Sequence, residues 1–541
     1  MYELSEWNDA GARFEDLRGH DHELCVADLL DLALEGRDAV SGQRSGGLGT
    51  SDPSLRLTEA EAIDAGWRFC FSDARVATVS HQALADWLEP PLWQVVRQSW
   101  QETDMTQAAV HEYAAVLSDP EALRSCLLQV ARLGFARLRG APAAEGEVAR
   151  LIAAFGPVRE TNYGLFYDVR VKPDPANLAD TALALAPHTD NPYRATPPDL
   201  QVLHCLTAAG SGGETRLVDG YGAVARLRAS DPAAFDLLTR VSVRYFWSDG
   251  ETRLTAEAPV IALDRDGEFA RLRYNPRSLD AILTKHTQTR AAWREAWAVF
   301  TALMDNPDLV TEFRLDTGDM VIMDNRRILH GRAGFAADAA VERHLQGAYA
   351  DSDGLYSTLY RLTADRADRG TRDLAALFAS DAMAEAYGED VSIGNHMLQS
   401  AALAVAGRLG EDMVAAALLH DIGWLLGGNH EDTAADRIAL LLGPAISEPI
   451  RLHVAAKRYL VATQPAYESS LSDASRYTLG RQGGPMTSAE CQAFRSLDWH
   501  EEALRLRGVD DSGKLLKLPD SGFAAYAALL RSLAIRHLLN S

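Results

Sequence analysis

The sequence predicts a multidomain chain: a small, partly β leading domain, a β-rich block of barrel or double-sheet type, and an all-α block. Three observations carry this. At 541 residues the chain exceeds what one ordinary hydrophobic core serves. From about 156 to 362 it runs as short β-like segments with turn signals between them, as in QVLHCLTAAGSGGETRLVDG (201–220). From about 376 onward apolar residues recur at helical spacing, with GGPMT and KLPDSG as breaks. A β-rich block followed by an all-α block reads as separate domains.

In chain order, residues 1–90 form the leading domain, with a Gly/Ser-rich loop at 41–54 and a strand-like run, WRFCFSDARVATVS, at 67–80. Residues 91–155 show helical periodicity, as in PEALRSCLLQVARLGFARL, and join the β-rich block in a second domain over 91–362. RLTADRADRGTRDLAAL begins charged and turn-prone, so 363–380 is expected to be a linker. Residues 381–541 make the helical domain, and no internal repeat is present.

Composition is that of an ordinary globular protein, 47% hydrophobic and 24% charged. The net charge of −23 argues against nucleic acid or an anionic membrane as partner. It leaves room for an anionic small substrate, because a local pocket can oppose the global field. The start, MYELSEWNDAGARFEDL, lacks a basic n-region and apolar run, so no signal peptide is expected. No apolar run approaches the roughly 18 residues of a membrane span. Cys25, Cys70, Cys126, Cys205 and Cys491 are scattered, which suits reduced thiols in the cytoplasm. A homo-oligomer is expected.

The first chemical constellation is His188, Asp190 and His330. LAPHTDNPYR sets His188 and Asp190 two apart, the spacing that shares one face of a strand. His330 follows in GDMVIMDNRRILHGR at the end of a strand-like run. Two histidines and one carboxylate, with three positions open, are the facial triad for non-haem Fe(II). A 2-oxo acid takes two of those positions and O2 the third. The distal carboxylate of such a co-substrate needs a cation, and Arg343 stands thirteen residues after His330. A guanidinium fork binds carboxylate bidentately.

Together these residues, with the runs NYGLFYDV, PHTDNP, QVLHCL, GGETRLVDG, DNRRILHGR and RHLQGAYADSD, make residues 1–362 resemble the γ-butyrobetaine/trimethyllysine hydroxylase family of Fe(II)/2-oxoglutarate oxygenases. The resemblance implies a double-stranded β-helix (jelly-roll) fold, with Arg343 as the 2-oxoglutarate anchor and Thr215 as a further co-substrate residue. It implies an aromatic box of Tyr163, Tyr167 and Tyr349 for a trimethylammonium group, and a substrate contact at Asn177. A quaternary ammonium donates no hydrogen bond, so ring faces are its natural receptor. Asp180 stands where the family has another tyrosine, and an acid there could still favour a cation. The family's zinc-binding cysteine cluster is absent: besides Cys25 only Cys70, His20, His22 and His81 could donate, and no zinc is expected.

The second constellation surrounds AAALLHDIGWLL (415–426), where His420 and Asp421 sit on an apolar segment. A buried charged pair is costly unless something cationic neutralises it, so the pair reads as a metal site. His396, His430 and His453 each lie on or near an apolar helix, and a late acid, Asp510 or Asp511, follows. Two metals bridged by Asp421 would use the whole set. Lys457 lies four residues after His453, and Arg507 three before Asp510, each on the face of its metal ligand. Cations so placed suit a dianionic phosphonate or phosphate. Ser475 and Thr478 are candidate hydroxyl donors to the same group.

YGEDVSIGNHMLQSA, HVAAKRYL, QGGPM and LRLRGVDDSGK make residues 381–541 resemble the phosphonate-cleaving HD-domain mixed-valence di-iron oxygenase. That resemblance implies an HD fold and Fe(II)/Fe(III) held by His396, His420, Asp421, His430, His453 and Asp510. It also implies that Tyr387 and Glu389 form a lid over the open iron. Trp424 stands where the aminophosphonate enzyme has a histidine; it could face a quaternary ammonium or simply pack.

The two halves make sense as consecutive steps. The first would hydroxylate C1 of 2-(trimethylammonio)ethylphosphonate, and the second would cleave the C–P bond with O2, giving glycine betaine and phosphate. Arg194, Asn275 and Arg277 are candidates for the phosphonate in the first pocket. The alternatives are the same chemistry on 2-aminoethylphosphonate or a partly methylated form, an HD phosphohydrolase fused to the hydroxylase, or an HD half that only binds or regulates.

Overall fold

The computed structural model describes residues 2–16, 20–38, 41–44, 52–63, 66–88, 95–100, 105, 108–171, 180–335, 343–384, 391–426, 429–513 and 522–541. The chain divides into two compact units, residues 1–94 with 363–541, and residues 95–362.

Within the first unit, the leading segment folds as two three-stranded antiparallel sheets, Tyr2–Asn8, Gly11–Asp16, Asp21–Cys25 and Leu57–Ile63, Gly66–Phe71, Val76–Ser80. Phe14, Trp67, Phe69, Leu29 and Leu84 close one small core between them. All five cysteines are free thiols.

The second unit is a double-sheet core. A seven-stranded sheet orders Tyr167–Arg170, His344–Ala350, Leu200–Thr207, Met320–Asp324, Phe135–Arg139 and Val110–Glu112, with Val158–Arg159 paired to His344–Ala350. A four-stranded sheet orders Leu185–His188, Ile328–Arg332, Thr215–Asp219 and Val310–Phe313. Phe135, Cys205, Val321, Met323 and Leu345 of the first sheet share one core with Leu217, Ile328 and Phe313 of the second. This is the jelly-roll layout, with alternate residues of both sheets turned inward. The helical run expected over 91–155 is the buried helix Pro120–Leu133, started by Asp119 and Pro120 and stopped by Gly134 at φ 85°. Its last residues, FARLR, are instead a strand of the large sheet.

Between Asp219 and Val310 a subdomain is inserted, with helices Gly220–Ser230, Pro232–Arg240 and Thr287–Ala302 and the sheet Arg253–Ala258, Val243–Ser248, Leu279–Ile282. At its base Arg327, 2% exposed, binds both oxygens of the fully buried Asp219 at 2.9 and 3.0 Å.

The stretch expected to be a linker over 363–380 is instead largely helical, inside the 27-residue helix Ser352–Phe378. Asp365 and Arg369, and Asp368 and Arg372, stand four apart, a spacing that favours helix. Leu355, Leu359, Leu362, Ala367 and Leu374 supply its buried stripe. The charges that suggested a turn are the exposed face of that helix.

The remaining described chain to residue 541 is helical, including Ile393–Ala406, Glu411–Leu419, His430–Leu442, Pro444–Thr463, Asp473–Arg481 and His500–Ser512. Among the described residues no helix is long and apolar enough to cross a membrane.

Candidate metal centres

The first centre forms where two strands of the small sheet meet. His188 ends Leu185–His188 and pairs directly with His330 on Ile328–Arg332. Their rings stand 4.5 Å apart, and both side chains are buried. Asp190 arrives differently from the strand alternation expected. It lies past the strand end, in a turn where Asn191 takes φ 55°. Asn325 fixes that turn, accepting from the Asp190 N–H at 2.7 Å and donating to its carbonyl at 3.1 Å. The carboxylate Oδ1 then sits 3.4 Å from His188 Nε2 and 3.7 Å from His330 Nε2. The three ligand atoms lie within 4.8 Å of one another.

The donor set fits a divalent iron. His188 directs its other nitrogen, Nδ1, to the Ala186 carbonyl at 3.0 Å, leaving Nε2 for a metal. Burial pushes His330 down to about 4, which keeps it neutral as a ligand must be. Burial works against ionised Asp190, but the neighbouring His330 and His188 imidazoles and a Tyr349 hydrogen bond hold it well below the usual carboxylate range.

Arg343 is buried at 7% exposure beside this core, its guanidinium 5.4 Å from the Phe335 ring. Among the described residues it has no hydrogen bond or ion pair, so a buried cation awaits an anion. Thr215 is buried on the same sheet, opposite Arg332. Arg332 was not singled out from sequence. It is a second buried arginine, held by the Thr181 and Leu183 carbonyls and pushed down to about 10 by burial and by Arg343. The charge of Asp180 acts on Arg332, which favours a place in that arginine cluster over contact with a substrate cation.

Tyr163, Tyr167 and Tyr349 are gathered beside Asp190. Tyr167 and Tyr349 stack at 4.9 Å, and Tyr163 lies 6.4 Å from Tyr167. Gly347 makes room for this: a Cβ there would lie 2.3 Å from the Tyr167 Cζ. Two further rings complete the cluster. Trp247 lies 5.6 Å from both Tyr163 and Tyr193, and the Tyr163 and Tyr193 hydroxyls meet at 3.0 Å. Trp247 comes from the inserted subdomain, more than fifty residues from the nearest predicted ring, so no local motif announces it. Asn177 lies outside the described residues.

Of the other first-pocket candidates, Arg194 donates to Asn162 Oδ1 and Asn275 donates to the Thr189 carbonyl at 3.3 Å. Burial pushes Arg277 down against the opposing charge of Asp190, and its guanidinium has no partner among the described residues.

The second centre is built on helices. His420 caps the C-terminus of Glu411–Leu419, so the His-Asp pair stands at a helix end and not within the helix. Gly423 lets the next helix close in, since a Cβ there would lie 1.9 Å from the His430 carbonyl oxygen. Two groups of ligand atoms result: His396, His420 and Asp510; and Asp421, His430 and His453. Asp421 joins them. Its Oδ2 lies 3.5 Å from His420 Nε2 and 3.8 Å from His396 Nε2. Its Oδ1 lies 3.7 Å from His430 Nε2 and 3.9 Å from His453 Nε2. One carboxylate thus has a pair of histidines on each oxygen, an arrangement that could bridge paired cations.

The outer nitrogens are fixed as well. His396, His420 and His453 turn Nδ1 to the Gly513, Ala417 and Ile450 carbonyls at 3.0, 2.9 and 2.6 Å. His430 Nδ1 faces Glu431 Oε2 at 3.1 Å. Asp510 Oδ1 points at His396 Nε2 from 3.2 Å, while Asp511 bonds to Tyr467 and Arg507 instead. Burial pushes His453 down to about 3.

A cavity of about 70 Å³ opens on this group, lined by Asp421, His430, His453 and Asp510 together with Lys457, Ser475, Thr478, Arg507, Gln482 and Trp424. Lys457 donates to Thr478 Oγ1 at 3.0 Å. Arg507 is committed differently from a free anion receptor: it pairs with Asp510 and Asp511 and donates to the Tyr467 hydroxyl. Gln482, whose buried Oε1 has no partner, was not foreseen. Trp424 is 43% exposed and stacks on His430 at 4.5 Å, so it is not core packing. Tyr387 and Glu389 lie outside the described residues.

A buried facial triad on a jelly roll, beside an unpaired arginine, defines the non-haem iron, 2-oxo-acid class of oxygenase fold. Residues 102–349 match the family described as taurine catabolism dioxygenase TauD, TfdA family. Among similar proteins, the γ-butyrobetaine dioxygenase of Pseudomonas sp. (strain AK-1) is 36% identical over 250 residues, covering 46% of this chain and 65% of that protein. The human γ-butyrobetaine dioxygenase is 32% identical over 266 residues, covering 48% and 67%. The mitochondrial trimethyllysine dioxygenase of Bos taurus is 28% identical over 257 residues, covering 47% and 60%. Through its jelly-roll unit the chain belongs to the TauD/TfdA-type dioxygenase family of γ-butyrobetaine dioxygenase. It spans 60–67% of the length of these relatives, and the family match ends at residue 349.

Proposed function

We propose that the chain is a bifunctional phosphonate-degrading enzyme. Its jelly-roll unit hydroxylates C1 of 2-(trimethylammonio)ethylphosphonate at the expense of 2-oxoglutarate and O2. Its helical segment cleaves the C–P bond of the product with a second O2, giving glycine betaine and phosphate. The observation that carries the reading is Asp421, one carboxylate set between His396 and His420 on one side and His430 and His453 on the other, beneath a cavity lined by Lys457.

Iron would supply O2 activation at both centres, as a single Fe(II) with 2-oxoglutarate at His188, Asp190 and His330 and as a mixed-valence pair at the second. The protein's own residues do the rest. Arg343 holds the distal carboxylate of 2-oxoglutarate. The faces of Tyr163, Tyr167 and Tyr349 hold the trimethylammonium group, and Arg277 meets the phosphonate at the other end. The named substrates of the relatives, butyrobetaine and trimethyllysine, carry the same cationic head, which supports this orientation. In the second pocket Lys457, Thr478 and Ser475 receive the phosphonate oxygens. Arg507 acts mainly by anchoring Asp510, and Trp424 offers its exposed face to the ammonium.

Phosphate release is the test. Trimethylated aminoethylphosphonate should yield phosphate only with both 2-oxoglutarate and O2, and more than the unmethylated compound does. Added hydroxylated substrate should need O2 alone. Anaerobic phosphate release would turn the second half into a phosphohydrolase; no release under any condition would leave a hydroxylase only.

A further inference from the structure

We infer that Gln201 is a positioning residue that ties the cation-binding tyrosines to the metal-ligand carboxylate and holds Asp190 to one oxygen. Gln201 is 2% exposed and lies between Met323 and Tyr349 in the large sheet. Its side-chain amide donates to Asp190 Oδ2 at 2.6 Å and to the Tyr167 hydroxyl at 2.7 Å. Tyr349 donates its own hydroxyl to the same Oδ2 at 2.7 Å. The amide cannot be turned over, because its oxygen would then face a carboxylate. Both amide hydrogens are used, and among the described residues the buried Oε1 carries no partner.

Two consequences follow. Oδ2 is saturated by two donors, so only Oδ1, the oxygen facing His188 and His330, is free to bind a metal. A carboxylate so held takes one coordination position, and the three that co-substrate and O2 need stay open. The same bonds run straight into the aromatic cluster. A cation on the stacked faces of Tyr167 and Tyr349 draws electron density from both phenols. The Tyr349 hydroxyl then donates more strongly to Oδ2, and Asp190 gives less to the metal. Occupancy of the cation site is thereby felt at the ligand before any substrate atom reaches the metal.

This inference rests on reading the triad as an Fe(II) site and the tyrosines as a cation site. The test uses the full chain, anaerobic, with Fe(II) and 2-oxoglutarate, and 2-(trimethylammonio)ethylphosphonate as probe. The visible absorption of the Fe(II)–2-oxoglutarate complex and the apparent Fe(II) affinity are measured for the native chain, Gln201→Met and Tyr349→Phe. The native band should shift on adding probe. Gln201→Met should weaken Fe(II) binding about tenfold and, with the Tyr349 bond to Oδ2 still in place, shift less. Tyr349→Phe keeps the ring and the stack, so it should fold as the native chain does, keep cation binding, and lose the shift. Aerobically, both variants should consume more 2-oxoglutarate per hydroxylated product. If the native chain binds no Fe(II), the metal reading falls and this inference with it. If it binds Fe(II) and shifts, and both variants do the same with native affinity, this inference alone is overturned.

Discussion

The two centres solve one problem, presenting buried imidazole and carboxylate to a cation, with different backbones. In the jelly roll, antiparallel register sets His188 across from His330, and a turn brings in Asp190. Only three ligands converge, and the space beside them is given to aromatic faces and to Arg343. In the helical segment, single residues from several helix ends and faces converge. The space there is lined instead by Lys457, Thr478 and Ser475. The sheet-borne set is a triad of candidate donors; the helix-borne set has six, with Asp421 between its two histidine pairs.

The largest effect should come from removing one ligand in each. Asp190→Ala should cut 2-oxoglutarate turnover by more than about a hundredfold, since even losing an outer-shell partner costs on the order of 10–100-fold. It should leave phosphate release from added hydroxylated substrate near native. Asp510→Ala should do the reverse and let the hydroxylated intermediate accumulate, seen by phosphorus NMR. If either substitution stops both activities in a folded chain, the centres are not independent.

The next effect tests backbone approach. Gly423→Ala puts a Cβ against the His430 carbonyl, and backbone cannot yield as a side chain can. The strain, about 1–3 kcal/mol, should move His430 and cost the second centre iron while the first keeps its own. Iron counted per chain before and after the substitution checks this. Native iron content with native phosphate release would show that the helices adapt.

A smaller loss is expected from Lys457→Ala. A hydrogen bond to a charged group contributes roughly 1.5–3 kcal/mol, so the apparent KM for the hydroxylated phosphonate should rise about 10- to 100-fold. The same change should leave 2-oxoglutarate turnover untouched. An unchanged KM would move the phosphonate to the far side of the cavity, towards Gln482.

Much of this was legible in the sequence, for identifiable reasons. Metal ligands are costly residue types to bury, so His188, Asp190 and His330 or His420 and Asp421 stand out from an apolar background. What stayed hidden depends on three-dimensional register. Arg332 and Gln201 look like ordinary strand residues until the sheet turns them inward. Trp247 joins the aromatic cluster from the inserted subdomain, and Tyr193 from the turn after Asp190. Arg507 looked like a free cation because helical spacing places it beside Asp510; the same spacing makes them an ion pair. The charged 363–380 stretch was misread because charges at four-residue intervals look the same in a linker and on an exposed helix face.

The smallest effect concerns Trp424, and it separates the two aromatic surfaces. In the first pocket a cation would meet rings buried beside the ligands, whereas in the second it would meet one ring 43% exposed. A cation over an aromatic face contributes about 0.5–1 kcal/mol when exposed and about 2 kcal/mol or more when desolvated. Trp424 stacks on His430 and also lines the cavity. Trp424→Leu should therefore lower kcat/KM for hydroxylated trimethylated substrate only about three- to fivefold. The unmethylated substrate should change less, because its ammonium can hydrogen-bond elsewhere, and the ratio of the two is the quantity to measure. An equal loss for both would mean that Trp424 steadies His430 and does not read the methyl groups. Tyr349→Phe is the counterpart in the first pocket: it keeps the ring face, so cation preference there should persist while coupling to Asp190 is lost.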